Sequence, residues 1–312
     1  MQDLTPFRLA PYFRTRIWGF NDLSPWFDYK TDGEPIGEVW LTGEMCVADT
    51  GPLQGQSLQA ITAAQGEALL GKGRAGQEFP LLIKVLFPKE KLSVQVHPDD
   101  AMAQRYGEPR GKTECWYALD AQPGAEVALG VKQGNTPEQV RSAIEGACLE
   151  DLLVQVPVNK GDMIFVDAGT VHAIGPGAVI LETQQTSDLT YRMYDYGRPR
   201  ELHLDKSMEA MRLSTAAGKI APQNVNGHSV LIDQKYFRVE RWATAPPSSE
   251  NASADVVQAV FLEKGQATIE GEGFAAFPLD RYQLAVIPAG AKYWKIKTEG
   301  PAEIIRILPQ SA

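Results

Sequence analysis

The stretch Leu92-Ser93-Val94-Gln95-Val96-His97-Pro98-Asp99-Asp100 decides how this chain is read. Side chains of an extended strand alternate between faces, so Gln95 and His97 share one face while Val94 and Val96 pack on the other. Two potential ligands thus converge on one side of a short strand without loop strain. His97 and His172 both fall where a strand meets a turn, the position that faces a barrel mouth, and they are two of only four histidines in 312 residues.

Outward from this stretch, short runs rich in Val, Ile, Leu and Phe recur between Gly, Pro and Asp punctuation. They are Leu81 to Phe87, Leu92 to Val96, Glu114 to Leu119, Glu126 to Val131, Met163 to Val166 and Ala178 to Glu182. Such spacing predicts a mainly β protein, a sandwich or barrel. Helical periodicity is confined to Leu58 to Leu70, Thr136 to Leu153 and Lys206 to Leu213. Of these, Thr136-Pro137-Glu138-Gln139 supplies an N-cap, a first-turn proline and acidic residues, and Val140, Ile144, Cys148 and Leu152 make an apolar stripe. The glycine-rich Gly71 to Gly76 lacks the order of a phosphate-binding P-loop.

The polar stretch Ala216 to Asn226 separates the first set of strands from a second that resumes at Ser229, predicting one domain over 1–225 and another over 226–312. Pro246 to Asn251 reads as a hairpin loop within the second. Phe165 to Ile174 is echoed by Val286 to Lys295 in strand, turn and strand order, with His172 opposite Tyr293. The second barrel is therefore expected to keep the fold without the metal set, since no histidine follows His228.

With 39 acidic against 30 basic residues the net charge is -9, which argues against a phosphate-coating nucleic-acid surface. Composition, 44% apolar and 22% charged, is that of a packed globular protein. Cys46, Cys115 and Cys148 form no CxxC pair and suit a reducing cytoplasm; no run of 18 apolar residues suggests a membrane span.

Glu114, in Gly111-Lys112-Thr113-Glu114-Cys115-Trp116-Tyr117, begins the run after the Gln95-x-His97 strand, and an antiparallel neighbour is expected to set its carboxylate beside His97. His172 is positioned to join them from a later strand. Two imidazoles, a carboxylate and an amide oxygen suit zinc, and equally cobalt, manganese or iron(II).

The joint order Gln95-x-His97, Lys112-Thr113-Glu114 and Gly169-Thr170-Val171-His172 resembles that of the cupin-type, type I mannose-6-phosphate isomerases. Matching segments include Gly37-Glu38-Val39-Trp40, Pro80 to Leu86 and Gln184 to Arg198. Only 57 residues separate Glu114 from His172, so the chain resembles the short bacterial branch. The resemblance implies two cupin (jelly-roll) β-barrels with a few short helices, and one Zn2+ per chain held by Gln95, His97, Glu114 and His172. It further implies Arg192 as the active-site arginine and interconversion of mannose 6-phosphate and fructose 6-phosphate. A cupin dioxygenase is the rival that Gln95 argues against, because its first motif is usually HxH. A cupin-type phosphoglucose isomerase and a non-catalytic sugar-phosphate-binding cupin are compatible with the same residues.

Phosphate anchoring is assigned to Lys112, with Lys84 as a second candidate. Lys84 interrupts an apolar run, and a cavity or an anion partner would explain it. The only partner expected is the small-molecule sugar phosphate; no nucleic acid, membrane or obligatory protein partner is anticipated.

Overall fold

A computed structural model describes residues 4–244, 248–250, 255–291 and 294–310. The strands form four antiparallel sheets. One runs edge to edge through Gly218–Ile220, Met163–Val166, Glu114–Ala121, Ala178–Gln185, Leu81–Leu86, Ile36–Trp40 and Tyr12–Phe20. A second runs through Tyr191–Tyr194, Val94–Val96, His172–Ile174, Glu126–Val131 and Leu153–Pro157. Their facing sides meet on Trp116, Ile164, Ile180, Val127, Leu129 and Ile174, which closes a first barrel around its own apolar core.

The C-terminal strands repeat the arrangement. A seven-stranded sheet, Phe7–Leu9, Leu284–Ile287, Gln258–Lys264, Ala302–Pro309, Phe237–Thr244, His228–Asp233 and Gln223–Val225, faces a smaller one built from Ser248–Glu250, Trp294–Thr298, Ala267–Gly271 and Phe277–Leu279. Trp242, Val260, Leu262, Ile269, Trp294 and Ile304 fill the space between them. The expectation of two β-barrels with a few short helices is met. The first strand of the chain, Phe7–Leu9, pairs with Leu284–Val286, far away in sequence.

A third apolar layer joins the two halves. Cys115, Tyr117, Leu119 and Phe165 on the outer face of the first sheet pack in one cluster with Phe261, Ile305 and Ile307. Strands covered on both sides need no polar face, which is why Leu81–Leu86 and residues 114–119 are buried at every position. Each fully buried Leu, Ile or Phe contributes about 1.5–3 kcal/mol.

The helices are shorter than the sequence periodicity predicts. Pro137–Glu145 starts at the expected Thr136 capping box but stops at Gly146; Ala147 turns with φ 56°, and Leu149–Leu152 forms a separate 3-10 turn. Cys148 is consequently exposed and leaves the apolar stripe. The second candidate splits at Gly66, φ 45°, into Leu58–Gln65 and Glu67–Leu70. The third runs Leu204–Ala210, two residues earlier than expected. Two short strands, Gly218–Ile220 and Gln223–Val225, occupy the stretch read as turns; the former extends the first barrel and the latter the C-terminal sheet.

Of the hairpin loop read at 246–251, Ser248–Glu250 is a strand paired with Ile296–Thr298, and the remainder lies outside the described residues. The echo's two strand-turn-strand units are present as Met163–Val166 with His172–Ile174 and Leu284–Ile287 with Trp294–Thr298, whereas Tyr293 lies outside the described residues.

Candidate metal centre and its cavity

In the second sheet the strand Val94–Val96 lies between Tyr191–Tyr194 and His172–Ile174. Gln95 is the register partner of both His172 and Arg192, so the three side chains form a row across adjacent strands. Val94 and Val96 point away from that row into a cluster with Val140, Ile144 and Leu153. The period-two reading of this stretch therefore holds in three dimensions.

Glu114 arrives from the other sheet. Its strand pairs with Met163–Val166 and Ala178–Gln185, not with Val94–Val96, so the expected antiparallel neighbour of the Gln95 strand is incorrect. The loop and short helix from Pro98 to Lys112 cross the barrel mouth instead, and the carboxylate reaches the histidines across the interior.

Ligand atoms of His97, Glu114 and His172, all buried, lie within 4.8 Å of one another. His97 Nε2 is 3.6 Å from Glu114 Oε2, and His172 Nε2 is 3.4 Å from Glu114 Oε1. Tetrahedral donors about 2.1 Å from an ion stand about 3.4 Å apart, so these separations fit one shared cation. The Gln95 amide nitrogen lies 3.2 Å from His172 Nε2. His172 Nδ1 is 2.9 Å from the Thr170 carbonyl oxygen and donates to it, which leaves Nε2 with a free lone pair.

His97 Nε2 has no hydrogen-bond partner among the described residues although it is buried, and Glu114 Oε2 beside it faces only the Lys112 ammonium. An orphaned buried polar atom is costly, and a cation held by His97 and Glu114 removes that cost. Burial, with the Lys112 charge and His172 nearby, holds the His97 imidazole well below its usual pKa, and burial takes His172 down to about 4. Both are neutral at neutral pH and able to ligate.

The site opens on a cavity of about 490 Å³ lined by Gln95, Lys84, Lys112, Glu182, Arg192 and Arg200, among others. Lys112 Nζ is 3.2 Å from Glu114 Oε2. Lys84, buried, has the anion partners its position demands, Glu182 at 3.1 Å and Glu38 at 3.8 Å. Although burial opposes ionisation, Glu182 and Glu38 hold the Lys84 ammonium above its usual pKa, while Lys84 and Arg16 take Glu38 down to about 2. Burial raises Glu182 above the ordinary carboxylate range despite Lys84.

Arg192 forms no ion pair among the described residues. Asp188 stands 3.9 Å from Arg14, and Asp195 is taken by Arg198 and, in a two-bond fork of 2.6 and 2.7 Å, by Arg200. Arg192 Nη1 donates to the Glu201 carbonyl at 2.8 Å and its backbone N–H to His203 Nδ1 at 3.0 Å. Arg198 and Arg200 thus share the buried Asp195 carboxylate, and Arg192 and Arg200 line the cavity.

Sequence reading missed Glu182, Glu38 and Arg200. The one available signal was Lys84 itself, a charge inside an apolar run that required a carboxylate nearby. Nothing local specified which.

A two-barrel β protein with a buried His/Glu/His cluster able to hold a metal, beside a cavity lined by lysines, arginines and carboxylates, has the layout of an enzyme acting on a small polar molecule. The profile described as phosphomannose isomerase type I, catalytic domain, matches residues 6–135. Mannose-6-phosphate isomerase of Streptococcus mutans is 34% identical, covering 96% of this chain and 97% of its own. ManA, the mannose-6-phosphate isomerase of Bacillus subtilis, is also 34% identical, covering 96% and 98%. A crystal structure of mannose 6-phosphate isomerase from Bacillus subtilis superposes with a TM-score of 0.86 at 31% identity, covering 97% of this chain and 99% of that one. The chain belongs to the type I phosphomannose isomerase family.

Proposed function

We propose that this chain is a cytoplasmic, zinc-dependent cupin enzyme that interconverts mannose 6-phosphate and fructose 6-phosphate through a cis-enediol. The observation that carries the reading is the convergence of His97, Glu114 and His172, with Gln95 linking them to a cavity that Lys84, Lys112, Arg192 and Arg200 also line. Gln95, His97, Glu114 and His172 would hold the ion; bound there, it supplies positive charge that lowers the cost of negative charge on the sugar oxygens. Cobalt, manganese or iron(II) would suit the same donors.

The chain's own residues divide the remaining work. Arg192, next to Gln95 in the sheet and free of carboxylate partners, stabilises the developing enediolate. Lys112, with one carboxylate neighbour, is assigned the phosphate, and Arg200, forked to Asp195, stands at the same cavity as a second group. Lys84, matched by two carboxylates, is the weaker anchor and instead forms with Glu182 a buried proton-carrying pair on the cavity wall, to which we assign proton movement between C1 and C2. His97 is a poor free base once ligated.

Residues 1–225 are read as the catalytic unit and 226–312 as a barrel without a metal set. Cys46, Cys115 and Cys148 are all free, in keeping with a reducing compartment, and no described helix is long and apolar enough to cross a membrane. The sugar phosphate is the only partner the reading requires.

A coupled assay of mannose 6-phosphate conversion, before and after chelation and zinc add-back, tests this. Turnover lost on chelation and restored by zinc is expected; a fully metallated protein without turnover would overturn it.

A further inference from the structure

Among the described residues, the C-terminal barrel reaches the segment between His97 and Glu114 at Asp100. Tyr236, in the connection between the strands His228–Asp233 and Phe237–Thr244, donates its hydroxyl to Asp100 Oδ2 at 2.6 Å. Lys235 Nζ stands 3.0 Å from the same hydroxyl and 3.7 Å from Asp100 Oδ2.

Asp100 passes the contact on. Its other oxygen, Oδ1, accepts from the Gly111 backbone N–H at 2.9 Å and from Gln185 Nε2 at 2.9 Å. Gln185 Oε1 in turn accepts from the Thr113 N–H at 2.9 Å. Gly111 and Thr113 flank Lys112, and Thr113 precedes Glu114. The start of the same loop is held as closely: Lys112 N–H donates to the Pro98 carbonyl at 3.0 Å, and a Cβ on Gly111 would meet that oxygen at 2.4 Å.

Asp100, three residues after His97, therefore ties itself to Gly111 and, through Gln185, to Thr113 just before Glu114; the Lys112 to Pro98 backbone bond closes the same loop, and a tyrosine from the other half of the molecule holds the carboxylate. We infer that Tyr236 is a positioning residue for the metal centre, acting through Asp100 on the backbone that carries Lys112 and Glu114. This gives the C-terminal barrel a part in an active site to which it contributes no ligand. Fully satisfied polar networks rigidify the groups they join, and partners behind metal ligands typically set affinity by 10–100-fold. The inference rests on Glu114 as a metal ligand.

Tyr236→Phe removes the hydroxyl and little else. Two measurements on the full chain test it. In metal-free protein, backbone amides of 110–116 should exchange with deuterium several-fold faster than in wild type, while exchange in the strand Gln258–Lys264 and the melting temperature stay close to wild type. In zinc titration against a chromophoric chelator, the dissociation constant should rise about tenfold, with kcat falling more than KM rises. Unchanged exchange at 110–116 overturns the relay. Faster exchange there with unchanged zinc affinity and kcat overturns its role in positioning the centre. A wild-type chain that takes up no divalent ion refutes the metal reading by itself, and the exchange result still decides the relay.

Discussion

His172 and Gln95 face each other in register across two adjacent strands, with the amide nitrogen of Gln95 3.2 Å from His172 Nε2. Because His172 Nδ1 gives its proton to the Thr170 carbonyl, Nε2 is the acceptor in that pair. A half-turn of the Gln95 amide exchanges its nitrogen for its oxygen and converts a hydrogen bond into two donors facing one cation. Metal loading is therefore expected to reorganise one side chain and no backbone.

His172→Ala removes one imidazole of the proposed ligand set, and metal content and activity should fall together. Elemental analysis of purified variant and wild type, beside the coupled assay, checks this; normal metal with normal turnover would remove His172 from the ligand set.

Arg192 makes no hydrogen bond or ion pair with Gln95, His97, Glu114 or His172 among the described residues, so Arg192→Ala should leave the cluster intact. Metal content should stay normal while kcat falls by two to three orders of magnitude, the scale of losing a donor worth about 3–4 kcal/mol in the transition state. Wild-type kcat in this variant would assign Arg192 to structure alone.

Lys84 and Glu182 are buried and 3.1 Å apart, so removing Lys84 strands Glu182. Lys84→Met should cost about 3–5 kcal/mol of stability by urea unfolding. Adding Glu182→Leu should recover much of it without restoring turnover. Recovery of both would show that the pair only packs.

Against the pull of burial, Lys84 and Arg16 bring the Glu38 pKa down to about 2 from a reference of 4.5. A carboxylate with a lowered folded pKa contributes stability that is fully present above pH 4.5 and is lost as the pH falls toward 2. Melting temperatures of wild type and Glu38→Gln should therefore differ by a constant amount above about pH 5 and converge in acid. A gap that widens on acidification would contradict the sign.

On the proposed reading, zinc would bind the folded chain through His97, Glu114 and His172, which come together only in the barrel. At free zinc 1,000-fold above the dissociation constant, the folded state should gain about 4 kcal/mol. Calorimetry of stripped protein with and without zinc would show it as a higher melting temperature, and no shift would place the ion elsewhere.

Much of this was legible in one dimension. Alternation along Val94 to His97 separated the ligand face from the packed face, and the apolar runs gave the barrels. The Thr136 capping box was visible as well, whereas the ends of the helices were not. Gly66 and Ala147 take left-handed backbone angles that interrupt otherwise helical spacing, and side-chain periodicity does not report such a turn.

What the sequence determined by itself is which residues face inward, because the two-residue period of a strand is local and survives any arrangement of its neighbours. The tertiary structure alone decided that Glu114 meets His97 from the opposite sheet, that Lys84 is matched by Glu182 and Glu38, and that Tyr236 reaches Asp100. Each of these depends on strand register and on how a loop crosses the barrel mouth. Such contacts bring together residues far apart in the chain, and they are set by closing the barrel around its core rather than by any short run of side chains.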